Sequence, residues 1–483
     1  MDIVKTLSDW IWSPALLAFL IGAGLYFTIR TKFVQIRMIP EMLRLMFEKP
    51  EDSQGISSFQ ALSVALSGRV GTGNIAGVAS AIAFGGPGAV FWMWVIAFVG
   101  AGSAFVETTL GQVYKEEVDG QFYGGPAYYI EKGLKLKKLA MGMALILAFS
   151  FAFLMSGIQV NGISVAMHNA LSVPPLVSTL LVVGALLLIV LGGIQRIAKI
   201  AEIIVPFMAG VYLLMVFVIV IANLDQVIPV FQLIFKAAFG MEAVFGGLVG
   251  AAISYGVKRG VYSNEAGQGS QVAAAASAQI SHPVKQGLVQ AFSVYIDTLF
   301  VCTGTALVIL LTNSYNVFDT NQNPVVAHLA NTDSDSAGAL YTQTALSTVL
   351  GSFGPIFVAF ALVFFAFTTL MSYYYIAETN LRYLLKGDKL TLALRVMQVL
   401  MVGMLIYSGV ASSQMAWTMG EIASGITVWL NITAILFLSP LAFKLLKDYE
   451  QQRREGKNPD FNPFEIGIEG VPYWEKRIRN KEK

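Results

Sequence analysis

Residues 67 to 86 read SGRVGTGNIAGVASAIAFGG. Within them, Gly71-Thr72-Gly73-Asn74-Ile75-Ala76 fits G-x-G-x-x-A, a variant of the loop that holds a pyrophosphate on backbone N–H groups at a helix start. That chemistry needs a strand before the loop, a helix after it and an acid about 20 positions on. Here the lead-in is "FQALSVAL", the exit is "IAGVASAIAF", and the next acid, Glu107, lies inside another apolar segment. No Lys-Ser or Lys-Thr follows a glycine loop, so a P-loop fails as well. The glycines serve something other than a nucleotide.

The elements that carry them are membrane helices. Of the 483 residues 55% are hydrophobic and only 13% charged, with mean hydropathy +0.65. A soluble domain carries about 25% charged residues. Apolar runs such as "FMAGVYLLMVFVIVIANL" reach the roughly 20 residues that cross a bilayer. Eleven spans are expected, near 12–29, 58–84, 88–113, 140–168, 174–191, 200–222, 243–258, 285–311, 355–384, 392–411 and 416–445. The first reads as a retained span, because no basic region or small-residue cleavage site accompanies it. With the N-terminus outside, 29 of the 32 Lys and Arg fall on inward segments, including three in 258–285. Loop 313–340 holds no Lys or Arg but has Asp319, Asp333 and Asp335. The expected setting is thus a multi-pass protein of the cell membrane, N-terminus out and C-terminus in the cytoplasm. The tail 446–483 reads as a solvated appendage, or one whose basic end touches anionic lipid. A net charge of +2 argues against a nucleic-acid partner, and the single cysteine, Cys302, excludes an intrachain disulfide.

In that setting Gly68, Gly71 and Gly73 interrupt a membrane helix at mid-depth, beside Arg69 and Asn74. Unwound backbone in lipid is tolerated only where protein buries it or where it lines a cavity. Small-residue helix packing is the structural alternative. A broken helix points the positive end of its second half at a carboxylate, while freed carbonyls take a cation. Setting the first span aside leaves five plus five, and a matching break is expected at Gly246, Gly247 and Gly250 in the second half. Other polar residues stand at membrane depth. Gln159 and Asn161 either join two helices or hold a substrate group. Thr368 and Thr369 either bond back to their own helix or offer oxygens to a hard monovalent cation such as sodium, with the carbonyl of Phe365 beside them. Asp297 either binds a sodium ion or proton or pairs with Arg69. Glu107, Glu378 and Glu421 read as snorkelling or capping groups near span ends. No Ser-His-Asp, zinc or haem constellation appears, so the chain does not read as an enzyme.

These residues resemble a known family. "GGPGAVFWMWVIAFVG" (85–100) looks like the signature of the sodium:alanine/glycine symporters. "VGTGNIAGVA" (70–79), "GVKRGVYSNEAGQGS" (256–270) and "IDTLFVCTGTAL" (296–307) look like its other motif blocks, in order along residues 12–445. The resemblance implies an all-α LeuT-type fold, with five-plus-five inverted repeats and one extra N-terminal helix. The implied division is 1–57 (extra helix and inner loop), 58–222 and 223–445 (the two repeats) and 446–483 (tail). It implies alternating-access symport of sodium with a small neutral amino acid, alanine or glycine, with no organic cofactor; proton coupling through Asp297 is the alternative. Carried over to this chain, Thr72 and Gly73 resemble the N–H donors to the substrate carboxylate, with Asn74 beside them. Gln159 resembles the substrate-facing amide, and Phe245, Gly246 and Gly247 the unwound partner. The carbonyls of Ser67 and Val70, with Thr368 and Thr369, resemble a sodium site, to which the Phe365 carbonyl read above would add. In the last span Glu421 stands where an aspartate is expected.

Overall fold

The computed structural model describes residues 2–48, 55–190 and 192–481. Lys49 and Lys483 of the charge tally, and Leu191 at the end of the fifth expected span, lie outside the described residues. Every expected span carries helix. Among the described residues eight helices are long and apolar enough to cross a membrane, nine when Leu224–Ala238 and Ala243–Asn264, bent by 48°, count as one. The shorter Gly73–Gly85 and Pro175–Val190 are also apolar. Loop 313–340 is not structureless: Asn316–Phe318 pairs antiparallel with Pro324–Ala327, and Ala339–Leu350 is a further helix. A second small hairpin, Glu116–Val118 with Gln121–Tyr123, lies on the opposite face.

Helix Gly88–Val113 is central, and glycines let its neighbours approach it. A Cβ on Gly256 would meet the carbonyl oxygen of Ala89 at 2.5 Å, and one on Gly260 would meet Ile96 at 2.3 Å. Contact this close is how helices associate where lipid offers no hydrophobic drive. Leu181, Leu188, Ile203, Phe207, Val399 and Phe437 remain exposed on the outer helices, forming a lipid-facing belt.

The first broken helix runs Ser58–Arg69, then a π turn Gly73–Gly77, then Val78–Gly85. Its entry is well defined: Ser57 and Gln60 form a reciprocal capping box. None of Gly68, Gly71 and Gly73 has a positive φ. They are small because other elements crowd them. A Cβ on Gly68 would meet Gln271 at 2.2 Å, one on Gly71 would meet Thr369 at 2.6 Å, and one on Gly73 would meet Tyr262 at 3.1 Å.

The second interruption differs from the expectation. Gly246 and Gly247 lie exposed in the 3-10 lead-in Ala243–Leu248, and Phe245 packs against Gly86 at the N-terminal face. The helix then runs unbroken from Val249 to Asn264 and opens over 265–271 before Val272–Ala276. Glu265, Gly267 and Gly269 all take positive φ, of 53°, 84° and 76°. The 267 and 269 positions suit glycine, because a side chain is strained there. The two breaks lie antiparallel, Gly68 against Gln271 and Gly73 against Tyr262 and Ser263. The tally of charge on 258–285 shifts accordingly. Lys258 and Arg259 stand at the N-terminal face on Glu421, at 2.6 and 2.9 Å. Only Lys285 faces the tail side, on Glu48 at 2.7 Å.

An opened helix buried at membrane depth must find partners for its N–H groups. Glu107 supplies them. Its carboxylate accepts from the N–H groups of Gly267 (3.2 Å) and Gly269 (3.1 Å) and from the amide of Asn431 (2.8 Å). It is fully buried, so it caps the second break rather than snorkelling. Glu265 likewise accepts from Tyr373 (2.6 Å), Ser270 (2.7 Å) and Gln271.

The tail is folded onto its face of the bundle, not solvated. Helix Ser413–Arg454 carries it past the expected span end, and Trp474 is fully buried with its indole N–H on the Gln112 carbonyl at 2.9 Å. The ammonium of Lys115 lies 4.3, 4.6 and 5.2 Å from the rings of Phe122, Tyr473 and Trp474. His282 joins tail to bundle. Its Nδ1 accepts from the Val284 N–H at 3.2 Å, capping helix Pro283–Val294, so Nε2 carries the hydrogen donated to Asp448 at 3.1 Å.

Two predictions follow from these contacts. Glu107→Ala strands two buried N–H groups and an amide, each costing about 1–3 kcal/mol. It should destabilise the purified protein in thermal unfolding by at least about 2 kcal/mol, with Glu107→Gln intermediate. Equal stability of Glu107→Ala and wild type would remove the capping role. Burial lowers the His282 pKa, against the pull of Asp448. The unfolded chain then binds more protons than the folded one just below the ordinary imidazole value. Stability should therefore fall as pH drops below about 6.5 and level off beneath the folded pKa. His282→Asn, which keeps a capping oxygen, should flatten that part of the unfolding profile.

Candidate functional site

The site is built where the two breaks meet. The Thr72 N–H donates to the Gln159 side-chain oxygen at 3.0 Å, and the Gly71 N–H to that of Asn74 at 2.8 Å. Gln159 reaches this point from helix Ser156–Leu171, which follows a π turn at Ser150–Met155. Its amide donates onward to the Tyr262 hydroxyl at 3.2 Å. A neutral side-chain amide oxygen thus satisfies the N–H group that the broken helix frees at Thr72. Asn161 does the other job open to it: its amide joins two helices through the carbonyls of Ser408 and Ala411, both at 2.9 Å.

The dipoles around this point are opposed. The start of the half-helix Gly73–Gly85 faces the end of the half-helix Val249–Asn264, with Gly73 against Tyr262 and Ser263. A helix N-terminus carries partial positive charge and a C-terminus partial negative. The two ends in contact here thus carry opposite partial charges, the polarity that the two ends of a zwitterion would meet.

One turn deeper, backbone oxygens converge on Thr369. Its hydroxyl lies 2.8 Å from the Ser67 carbonyl, 2.9 Å from that of Phe365 and 3.4 Å from that of Val70. Four hard oxygens around one point suit a small monovalent cation. Thr368 is turned aside: its hydroxyl bonds back to Phe364 and Phe365, both at 3.0 Å, and touches the Met208 sulfur at 3.8 Å.

Asp297 ties the two breaks together. It lies fully buried on the π turn Tyr295–Cys302 and accepts from Asn74 at 2.6 Å, Ser263 at 3.0 Å and Thr298 at 2.7 Å. It makes no ion pair with Arg69, whose guanidinium instead donates to the Gln290 carbonyl at 3.1 Å and to Ser293. Two of the Arg69 nitrogens have no hydrogen-bond partner. Arg69 is within electrostatic reach of Glu107, Glu265 and Asp297.

A cavity of about 410 Å³ leads from the N-terminal face to this point. Thr72, Ala76, Gly162, Arg259, Trp417 and Glu421 are among the residues that line it. The Thr72 hydroxyl is buried there without a partner. The structure therefore brings Ser67, Arg69, Val70, Thr72, Gly73, Asn74, Gln159, Asp297, Phe365 and Thr369 around the first break. It sets Phe245, Gly246 and Gly247 apart. Sequence reasoning missed Tyr262, Ser263 and Glu265. Their signal was present in "YSNEAGQGS", but the neighbouring Lys258, Arg259 and Lys285 drew that segment to the inner side.

Comparison with known proteins agrees with this architecture. The crystal structure of MhsT in complex with L-phenylalanine superposes with a TM-score of 0.54 at 13% identity, covering 82% of this chain and 99% of that one. At that identity the likeness speaks for the fold alone, and the fold is the LeuT type that was expected. A Bacillus subtilis protein, provisionally named as the sodium/proton-dependent alanine carrier YrbD, is 51% identical over 480 residues, 99% of both chains. The sodium/proton-dependent alanine carrier protein of Bacillus sp. strain PS3 is 47% identical over 443 residues, 92% of this chain and 99% of that one. The profile of the sodium:alanine symporter family matches residues 1–463, and this chain belongs to that family.

Proposed function

We propose that this protein is a sodium-coupled symporter of alanine or a similarly small neutral amino acid, working by alternating access. The observation that carries the reading is the pair of facing breaks. The substrate carboxylate takes the N–H groups of Thr72 and Gly73, displacing the oxygen of Gln159. The ammonium group lies at the C-terminal end of the half-helix Val249–Asn264. Sodium binds one turn deeper among the carbonyls of Ser67, Val70 and Phe365 and the hydroxyl of Thr369, and Thr368 joins them on rotation of its side chain. Carbonyls freed by the break serve the ion and N–H groups freed by it serve the substrate, so each ligand stabilises the geometry the other needs. The basic bias of the tail face supports a cytoplasmic C-terminus. At −100 mV one sodium ion entering contributes about 2.3 kcal/mol, enough to concentrate substrate roughly fifty-fold.

Proton coupling is the second reading, and one feature favours it. Glu107, Glu265 and Asp297 share the single guanidinium of Arg69. Each buried carboxyl beyond the first must be neutralised by a proton or another cation. Alanine carriers related to this chain bear names with both ions.

Purified protein in liposomes separates the two. An imposed inward sodium gradient should drive uptake of labelled alanine, and a pH gradient without sodium should not. Uptake indifferent to sodium would sink the coupling reading. Thr369→Ala should raise the sodium concentration for half-maximal uptake at least about tenfold, as expected for losing one ligand among few. If Asp297 carries the proton instead, a pH gradient without sodium should drive uptake, and Asp297→Asn should abolish it.

A further inference from the structure

The tail helix Pro472–Lys481 lies outside the stretch matched by the family profile, yet it is built into the tail face. On that face the outer ends of the two broken helices are tied together. The Ile56 N–H, just before the first, donates to the Ser277 carbonyl at 3.2 Å, and the Ile56 carbonyl accepts from the Gln279 N–H at 2.9 Å. Residues 277–282 form the joint between Val272–Ala276, which follows the second break, and helix Pro283–Val294. Every residue of the joint is buried.

The tail closes over this joint. The Phe461 N–H donates to the Ser281 carbonyl at 2.9 Å, and the Ser281 hydroxyl donates to the Pro459 carbonyl at 2.8 Å. Trp474 acts at one remove. Its indole N–H holds the Gln112 carbonyl, and the Gln112 amide donates to the Ala278 carbonyl at 3.1 Å. The Lys115 ammonium donates to that same carbonyl at 2.9 Å, under the rings of Tyr473 and Trp474. A buried ammonium is tolerated there while the rings cover it; without them it draws in water, and water at Ala278 is an opened tail face. The other end of the tail is fixed to helix Ser413–Arg454. The Gln452 amide donates to the Asp460 carbonyl at 3.0 Å, and the Asp460 N–H donates to the Gln452 oxygen at 2.9 Å. The tail thus bridges that helix and the joint of the broken pair.

The path beneath is shut. Ser372 stands one turn beyond Thr369 on helix Phe353–Leu384, which runs on to the tail face, where Arg382 lies 5.2 Å from the Tyr123 ring. The Ser372 hydroxyl is buried without a hydrogen-bond partner, 2.9 Å from where a Cβ on Gly68 would be. We propose that residues 459–478 are a latch that holds the tail face of the transport path shut and leaves the joint 277–282 when that face opens. The inference rests on the alternating-access reading, though not on which ion drives it.

The test uses two cysteine reporters, one at a time, in the purified full-length protein with a water-soluble thiol reagent. Ser372→Cys reports the tail side, and Val165→Cys reports the cavity, which Val165 lines. Cys302 is buried, and its own labelling is subtracted by measuring each tail variant without a reporter. Trp474→Ala should speed labelling of Ser372→Cys at least about fivefold and leave Val165→Cys no faster, because a two-state balance opens one face at the expense of the other. A protease site inserted between Glu469 and Gly470, both exposed, and cut after the protein has folded should do the same. It decides the matter if Trp474→Ala does not fold. No gain at Ser372→Cys would overturn the latch. Faster labelling at both reporters would also overturn it, since that is general loosening. If alanine with sodium alters neither reporter while the tail is intact, alternating access itself fails and the latch with it. If they alter both and loss of the tail alters neither, the latch alone fails.

Discussion

The bilayer interior offers no water to satisfy an opened helix, and this constraint organises the molecule. Two helices are opened at the same depth, and each N–H group released there needs a protein partner. Glu107 answers for Gly267 and Gly269, Asn74 for Gly71, and Gln159 for Thr72. Asn74 and Gln159 are neutral, and Thr72, which Gln159 holds, lines the cavity. The breaks are therefore of two kinds. The one at 265–271 is closed by a fixed carboxylate and acts as scaffold. The one at 70–73 is closed by the neutral amides of Asn74 and Gln159.

Charge follows from the same arrangement. A carboxylate is a strong acceptor for stranded N–H groups, but it brings negative charge into low dielectric. Glu107, Glu265 and Asp297 are each satisfied by three donors, and Arg69 is the guanidinium in their reach. A fold held together this way leaves room for a further cation, and the oxygens around Thr369 are where neutral ligands for one converge. On the proposed reading, cation binding is a by-product of how the breaks are held open.

Much of this was legible in the sequence. The helix interruption at Gly68–Gly73 could be read because glycine, arginine and asparagine within an apolar run have few structural uses. The carbonyls of Ser67 and Val70 came from the resemblance, Phe365 and Thr369 from the residues themselves, and the four do meet at one point; Thr368 bonds back instead. The second break was misplaced for a physical reason. Gly246 and Gly247 look like a break, but spacing cannot say that they sit exposed above the bundle. The true break carries Glu265 and follows Lys258 and Arg259, so it reads as a water-facing loop until Glu421 is seen to neutralise both cations. The buried tail was illegible for a similar reason: Trp474 and Lys115 are partners only once Phe122 and Tyr473 surround them.

The central claim is that a small amino acid replaces the Gln159 oxygen on the Thr72 N–H, with a cation held one turn deeper. Determining the structure of the protein with L-alanine and sodium tests it most directly. The account predicts the alanine carboxylate within hydrogen-bond distance of the Thr72 and Gly73 N–H groups, Gln159 moved off Thr72, and an ion among the Ser67, Val70 and Phe365 carbonyls and Thr369. Alanine bound elsewhere in the cavity, with Gln159 still on Thr72, would contradict it.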